Sequence, residues 1–265
     1  MKTTVALSAL TLAAVWPGLS CAQDAEELAK KLSNPVASLI SVPLQFNHDS
    51  DIGSAKGSRS FINVQPVVPI SLNAEWNLIS RTIVPLIDQK NIAGVSGSQS
   101  GLGDIAQNLF FSPKAPTASG LIWGAGPIFL LPTASDDLLG GKKWGLGPTG
   151  LVLKQSGPWT YGALANHIWS VAGDSNRADI STTFVQPFLS YATKSGTSYG
   201  LNLESTYDWK SKDWAVPINA SVSQILKLGD QLVQVGAGAR YWADAPPNGP
   251  SGWGYSLTFT FLFPK

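Results

Sequence analysis

The sequence predicts an all-β protein: a transmembrane, antiparallel, up-and-down β-barrel of about 12 strands with a short N-terminal helix. Three observations support this fold class. Apolar residues alternate with small or polar ones in segments that recur along the chain. Only 13% of the residues are charged, against about 25% in an average protein. Nine of the ten tryptophans lie near the ends of predicted strands, as in barrels with aromatic girdles.

Residues 1–22 have the features of a secretory signal peptide. Lys2 gives a positive start, an apolar stretch follows, and a run of small residues ends at Ala22. We therefore expect export and cleavage after Ala22, which leaves no cysteine in the exported chain. A lipoprotein would instead carry its lipid on Cys21, but Gly18 stands where such signals normally have Leu.

The segment 23–37 is predicted to carry a short helix that precedes the barrel of residues 38–265. Over 24–33 the acidic residues come early and the lysines late, as the helix dipole favours. The apolar face of this helix consists of Ala25, Leu28, Ala29 and Leu32.

We expect the helix to tuck into the lumen, because a helix of about ten residues is marginal alone in water. Lys30 and Lys31 would then approach acids of the wall such as Glu75 or Glu204. Two other placements stay open: the helix lies on the inner bilayer surface, or it is disordered.

From residue 38 onward the apolar pattern has a period of two, which indicates strands. Each predicted strand has about ten to thirteen residues, enough to cross a bilayer when tilted. Their number is even, as bacterial single-chain barrels require. The predicted strands are 38–47, 60–71, 75–86, 102–112, 120–131, 144–155, 159–171, 179–191, 198–209, 214–226, 231–243 and 253–263.

The last strand gives the clearest parity. Aromatic and aliphatic residues from Trp253 to Phe263 alternate there with small or hydroxylic residues from Gly254 to Thr260. We predict that the apolar face points to lipid and the other face to the lumen. For 159–171, which contains His167, the parity is ambiguous.

Polar residues on the lumenal parity of the other strands are candidate lining groups for solute transport. A mid-strand arginine on the lipid face would cost about 2–4 kcal/mol, so the charged members are expected to point inward. They either form a selectivity lining or pair with one another and close the barrel. The candidates are Asn63, Gln65, Glu75, Arg81, Asp104, Asn202, Glu204, Asp208 and Arg240.

Connections and special residues add further expectations. Alternate connections are long, beginning with 48–59 and 88–101, and we place these outside the cell. Trp242 is predicted to belong to the outer aromatic girdle. Prolines within strands predict bulges or local widening, because proline lacks a ladder donor. These prolines are Pro43, Pro66, Pro127, Pro148, Pro187 and Pro217.

Several runs carry a family resemblance, among them SNPVASLISVPLQFN (33–47), WGLGPTGLVLKQSGPWTYGALANHIWS (144–170) and GWGYSLTFTFLFPK (252–265). They resemble the family of bacterial outer-membrane proteins named for the meta-pathway of phenol degradation, whose members are often labelled transporter or neuromedin U. The resemblance extends from about Ser33 to Lys265. It implies an outer-membrane protein that admits small aromatic or other hydrophobic compounds, and it supplies no catalytic motif.

We therefore expect an outer-membrane channel for passive passage of small hydrophobic or aromatic solutes, with no cofactor and no metal. The expected partners are the lipid bilayer, the solute and, through the C-terminal strand, the outer-membrane assembly machinery. Without Lys2 the chain has 17 basic and 17 acidic residues, which gives no electrostatic case for nucleic acid.

Two other functions stay open. One is a structural or adhesive barrel without transport. The other is a barrel-type outer-membrane hydrolase, although an enzyme is not expected: only His48 and His167 are present, and the HExxH and GxSxG motifs are not.

Overall fold

The computed structural model describes residues 18–92 and 97–263, so most of the predicted signal peptide lies outside the described residues. One helix, α1 (Gly18–Leu32), precedes the strands. The predicted helix over 24–33 is therefore confirmed, and in this chain it begins before the predicted cleavage site. None of the described helical residues form a helix long and apolar enough to span a membrane.

Fifteen β-segments follow the helix. They are β1 (Ile40–Ile52), β2 (Gly57–Val64), β3 (Val67–Ser71), β4 (Trp76–Lys90), β5 (Ser98–Leu102), β6 (Ile105–Pro113), β7 (Leu121–Leu131), β8 (Lys143–Ser156), β9 (Trp159–Gly173), β10 (Ser181–Ala192), β11 (Thr197–Leu203), β12 (Ser205–Asp208), β13 (Asp213–Leu228), β14 (Gln231–Asp244) and β15 (Gly252–Phe263). Three pairs, β2 with β3, β5 with β6 and β11 with β12, are interrupted halves of single strands, because both halves pair with the same neighbour. The wall therefore has twelve strands.

The twelve strands form a closed, antiparallel, up-and-down barrel. Each strand pairs with its neighbours in the chain. The first and last strands also pair with each other, from Ile40 opposite Phe263 to Asp49 opposite Gly254. The predicted fold class and all twelve predicted strands are confirmed.

The outside of the barrel carries large apolar side chains. In β15, Trp253, Tyr255 and Leu257 are exposed, Trp253 at 67%, whereas Gly254 and Thr260 are buried inside. This confirms the predicted parity of the last strand. Water-soluble monomers rarely expose an apolar surface of this extent, and a bilayer would cover it. The closed barrel and its apolar exterior place the protein in the bacterial outer membrane.

Aromatic side chains cluster at both ends of the wall. Trp76 meets Trp123 edge to face at the end where α1 lies, which we name the N-terminal mouth. Tyr207 contacts both Trp209 and Trp214 at the other end, named the loop mouth. The girdle prediction for Trp242 is wrong, because this indole points inward and its Nε1 donates to Asp49 Oδ1 at 2.9 Å. That inward direction follows from the polar partner that it finds inside.

The structure also resolves the parity of β9. Leu164 is buried inside the barrel, and His167, at the opposite parity, contacts Trp169 with ring centroids 4.1 Å apart. Its Nδ1 lies 2.7 Å from Thr183 Oγ1. His167 therefore belongs to the outer surface of the wall near the loop mouth.

Each of the six prolines predicted to disturb a strand lies beside an interruption. Pro66 separates β2 from β3, and Pro217 follows a register shift between β13 and β14. The pairing of β6 with β7 skips Pro127, and that of β8 with β9 skips Pro148. The other two lie where their strands pass breaks in the neighbouring strand. These two are Pro43 and Pro187.

Strands extend further toward the loop mouth than the sequence predicted. The long loop predicted over 48–59 is wrong, since β1 and β2 leave only residues 53–56 between them. The loop predicted over 88–101 shortens in the same way, to 91–97. Polar side chains on the inner face allow the alternation to continue past the end of the apolar run.

The lumen as the candidate functional site

The chain between α1 and β1 enters the lumen from the N-terminal mouth. We name residues 33–39 the N-terminal plug. Ser33 Oγ lies 2.9 Å from Ser190 Oγ, and Asn77 Nδ2 donates to Ser38 Oγ at 2.9 Å. Since β4 and β10 lie in different parts of the wall, the plug crosses the barrel interior.

Apolar packing holds the centre of the plug. Val36 is 5% exposed and belongs to a buried cluster with Ile79, Phe110 and Leu164. Gly124 makes room for it, since a Cβ there would lie 3.2 Å from Val36 Cγ1. The plug and the inner face of the wall therefore form a small hydrophobic core within the lumen.

The helix lies at the N-terminal mouth, as expected, but the segment that crosses the lumen is the plug that follows it. α1 lies at the N-terminal mouth against β10 and β11, and Gln155 Nε2 donates to the carbonyl oxygen of Lys30 at 2.8 Å. The expected approach of its lysines to wall acids is wrong. Lys31 Nζ lies 3.0 Å from Glu27 Oε1, within the same helix, because residues four apart share a helix face.

The lumen of the described barrel contains a lower and an upper cavity. The lower cavity, about 350 Å³, lies next to the plug, and the upper cavity, about 420 Å³, lies toward the loop mouth. They share four lining residues, which therefore form the boundary between them. These residues are Gln45, Gln65, Arg81 and Gln186.

Hydrogen bonds link three of these boundary residues along adjacent strands. Arg81 Nη2 donates to Gln65 Oε1 at 2.8 Å, and Gln65 Nε2 donates to Gln45 Oε1 at 2.9 Å. The fourth residue, Gln186, donates to Glu204 Oε1 at 3.3 Å. Side chains connected in this way hold each other in place and narrow the passage.

Arg240 is the centre of a second group of contacts. Its guanidinium lies 3.4 Å from Asp49 Oδ2 and 3.3 Å from Glu204 Oε2. It also donates to Asn47 Oδ1 and to Asn219 Oδ1. One arginine thus contacts two carboxylates and ties together side chains from β1, β13 and β14 and from the break between β11 and β12.

The two groups of contacts form a polar arc along the wall from β10 through β14 and β1 to β4. The facing strands β6 to β9 bring apolar side chains to the same lumen, among them Phe110, Ile128, Leu151 and Leu164, and add only the neutral amides of Asn108 and Asn166 to the lining of the upper cavity. The lumen is therefore amphipathic: one side can hydrogen-bond a solute, and the other offers an apolar surface.

The structure brings six of the nine predicted lining residues to the two cavities. These six are Asn63, Gln65, Arg81, Asn202, Glu204 and Arg240. Asn202 is held there by Asn219, whose Nδ2 donates to its Oδ1 at 2.9 Å.

The other three predicted residues lie outside the cavities. Glu75 is exposed in the turn before β4 at the N-terminal mouth. Asp104 Oδ2 accepts the backbone N–H of Gly141 at 2.7 Å and so fastens the loop 132–142. Asp208 Oδ1 accepts the N–H of Lys210 at 2.7 Å and caps a turn. The carboxylates of Asp104 and Asp208 thus find backbone donors in the adjacent loops, whereas Glu75 faces solvent.

Besides the boundary residues Gln45 and Gln186, the lumenal groups that sequence reasoning missed include Asn47, Asp49, Arg59 and Trp242. Asn47 and Asp49 continue the period-two pattern of β1 beyond Phe46, which is the signal that could have found them. Asn47 lay at the end of the predicted strand 38–47, and Asp49 fell in the polar run that predicted a loop over 48–59. Arg59 fell within the loop predicted over 48–59, and Trp242 was assigned to the outer aromatic girdle, so neither was expected to face the lumen.

The histidines do not build a hydrolase triad from the consecutive residues 48–50. Asp49 points into the barrel, whereas His48 stacks on Tyr255 with ring centroids 5.0 Å apart and lies 2.9 Å from Ser60 Oγ. Asp88 of β4 lies opposite Ser60, on the side of Ser60 that faces away from His48. An acid in that position cannot orient the imidazole as a triad requires.

The chain matches no family model and no curated protein sequence. It is similar in structure to the COG4313 outer membrane channel from Pseudomonas putida F1, with 16% identity, a TM-score of 0.67, and coverage of 85% of this chain and 96% of that one. The NanC porin follows with 8% identity, a TM-score of 0.50, and coverage of 85% and 100%. The outer membrane phospholipase A from Escherichia coli has 9% identity, a TM-score of 0.49, and coverage of 90% and 98%.

The chain has the fold of outer-membrane channels. At these identities the similarity shows the fold alone, so a function must be argued from the lumen itself.

Proposed function

We propose that the protein is an outer-membrane channel through which small hydrophobic or aromatic solutes pass down their gradients, with the N-terminal mouth in the periplasm. One observation carries this proposal: the lumen holds two successive cavities, separated by the boundary residues and lined by a polar arc facing an apolar one. A barrel that only anchored or decorated the membrane would need no such pair of cavities.

The lining supports solutes of this class. Phe61 and Phe184 border the upper cavity together with Ile128 and Leu164. Its volume lies within the range of about 300–1,000 Å³ typical of small-molecule sites. An aromatic ring gains free energy when it leaves water for such a surface.

The N-terminal plug supports a gate below the cavities. Its residues take no part in the strand pairing of the described barrel, and side-chain hydrogen bonds and the packing of Val36 hold it. Moving it would not break the wall, so passage and barrel integrity are separable. Displacement of the plug then opens the lower cavity to the periplasm.

Reconstitution into planar bilayers tests the proposal. Purified protein should give conductance steps, and liposomes that contain it should take up small aromatic solutes faster than empty liposomes. A structural or adhesive barrel would give neither steps nor uptake, which would contradict the proposal. Lipid turnover in the same liposomes would indicate a hydrolase instead.

A further inference from the structure

Three arginines face the lumen, and they are not equivalent. Arg240 forms ion pairs with both Asp49 and Glu204. Arg59 and Arg81 line the upper cavity, and none of the described carboxylates forms an ion pair with either of them. Three guanidinium groups and two carboxylates leave a net charge of +1 in this network, and both carboxylates contact Arg240 instead of Arg59 or Arg81.

Of these two arginines, Arg59 has fewer hydrogen-bond partners among the described residues. Its Nε is buried and has no hydrogen-bond partner among the described residues. Its guanidinium carbon lies 5.3 Å from the centre of the Phe61 ring, a cation–π contact. Asp49, its cross-strand neighbour, already bonds Arg240 and the indole of Trp242.

Within the described part of the chain, the Arg81 guanidinium has a single side-chain partner, the neutral Gln65. Guanidinium groups have five N–H donors in a fork that matches carboxylate geometry, so most of their capacity is unused. A buried charge without a counterion is unfavourable, and buried polar groups without partners in a native structure call for an explanation. An anion that binds in the cavity supplies the missing acceptors.

We propose that the upper cavity is a binding site for amphiphilic monoanions, in which Arg59 and Arg81 hold a carboxylate and the apolar arc holds the hydrophobic part. This inference rests on the proposed function and narrows its solute class to organic acids such as aromatic carboxylates. Ile128 and Leu164 of the apolar arc, together with Phe184 of β10, supply the apolar contact in the same cavity.

Benzoate and its neutral isostere benzamide test the site. Their binding to the full chain in detergent is measured by calorimetry and by the change in intrinsic tryptophan fluorescence, to which Trp242 in the cavity contributes. Benzoate should bind saturably and at least about tenfold more tightly than benzamide. The variants Arg59→Gln and Arg81→Gln should each weaken benzoate binding about tenfold or more and leave benzamide binding unchanged.

Controls separate charge from structure. Lys227→Gln removes a positive charge from the exposed end of β13 and should change nothing. Arg59→Lys and Arg81→Lys keep the charge without the fork, so they should retain part of the benzoate affinity. Heat-modifiable migration on gels confirms that each variant is a folded barrel. If the Gln variants fail to fold, the Lys variants and the comparison of benzoate with benzamide on the unaltered chain still test the proposed anion site.

Equal affinity for benzoate and benzamide would overturn the anion site and leave the proposed channel for neutral solutes intact. Anion-selective conductance without saturable benzoate binding would overturn it as well. An absence of conductance and solute uptake would contradict the channel, whatever benzoate does in detergent. The two proposals can therefore fail separately.

Discussion

The guanidinium of Arg240 lies 3.4 Å from the carboxylate of Asp49, although 191 residues separate them in the chain. Asp49 is 1% exposed and the Arg240 side chain 9% exposed. The contact joins β14 to β1 across the inner face of β15, the strand that closes the barrel. Because removal of one partner leaves the other charge buried and unpaired, this pair makes the lumen sensitive to single substitutions.

Arg240→Gln should destabilise the barrel strongly. Breaking a buried ion pair costs about 3–5 kcal/mol, and the cost here should lie at the lower end because Glu204 is partly exposed. Urea unfolding in detergent measures the loss, with Lys227→Gln as the unaffected control. Adding Asp49→Asn should restore part of the stability. A double variant no more stable than the single one would show that Asp49 is not the group left uncompensated.

Phe259→Asp and Thr258→Asp should differ, since these neighbours in β15 have opposite parity. Thr258 lines the lower cavity. Phe259 packs against Phe261 on the lipid side, where a carboxylate costs up to about 2–3 kcal/mol at depth. Heat-modifiable migration should show less assembled barrel for Phe259→Asp. Equal assembly of the two variants would contradict the assigned parity.

Deletion of residues 24–33 should raise single-channel conductance and salt leakage without preventing assembly. The helix anchors the plug at the mouth through Gln155, and the wall does not depend on it. Val36→Asp should act in the same direction, because a carboxylate cannot stay in the apolar cluster. Unchanged conductance in both folded variants would rule out a closing role for this segment.

The carboxyl group of Asp179 should titrate below its usual range. The hydrogen bond from Lys143 lowers the pKa of Asp179, with a smaller contribution from Ser170. Its contact with Lys143 therefore contributes stability above the pKa of the unfolded state, and this contribution is lost as pH falls through the lowered pKa. Carboxyl NMR titration should give a midpoint below 3.8, and Lys143→Gln should raise it. An unmoved midpoint would exclude Lys143 as the cause.

Cysteine labelling should reveal the orientation of the barrel. Ser54→Cys, Ser135→Cys and Asn248→Cys lie in exposed connections of the loop mouth and should react with an impermeant maleimide on intact cells. Lys227→Cys lies near the N-terminal mouth and should not react. The opposite pattern would place the N-terminal mouth outside the cell.

The fold was predictable because lipid imposes one rule on every strand. The parity of β15 could be predicted from the sequence, because side chains that face lipid must be apolar. The prolines predicted strand interruptions, because proline has no backbone N–H to donate. The lumen offers no such rule. Asp49 and Trp242 could be placed only once the barrel had brought β1 and β14 together, because each is explained by a partner far away in the chain.

The fate of the predicted lining residues has the same physical origin. Arg81 and Glu204 lie mid-wall, where the cost of burial in lipid fixes their direction. Glu75, Asp104 and Asp208 lie at strand ends, where water and backbone N–H groups compete for a carboxylate. Strand parity therefore predicts whether a side chain points to the lumen or to lipid in the middle of a strand, but it does not predict this at the strand ends.

The position of the plug constrains the order in which the molecule can be made. Residues 33–39 lead directly into β1, and β1 joins β15 at the seam between the two ends of the barrel. That seam brings together the most distant parts of the chain, which makes it the slowest contact to form by loop closure alone. A wall still open between β1 and β15 lets the plug enter sideways, so the barrel is expected to wrap around its own leading segment instead of being filled afterwards.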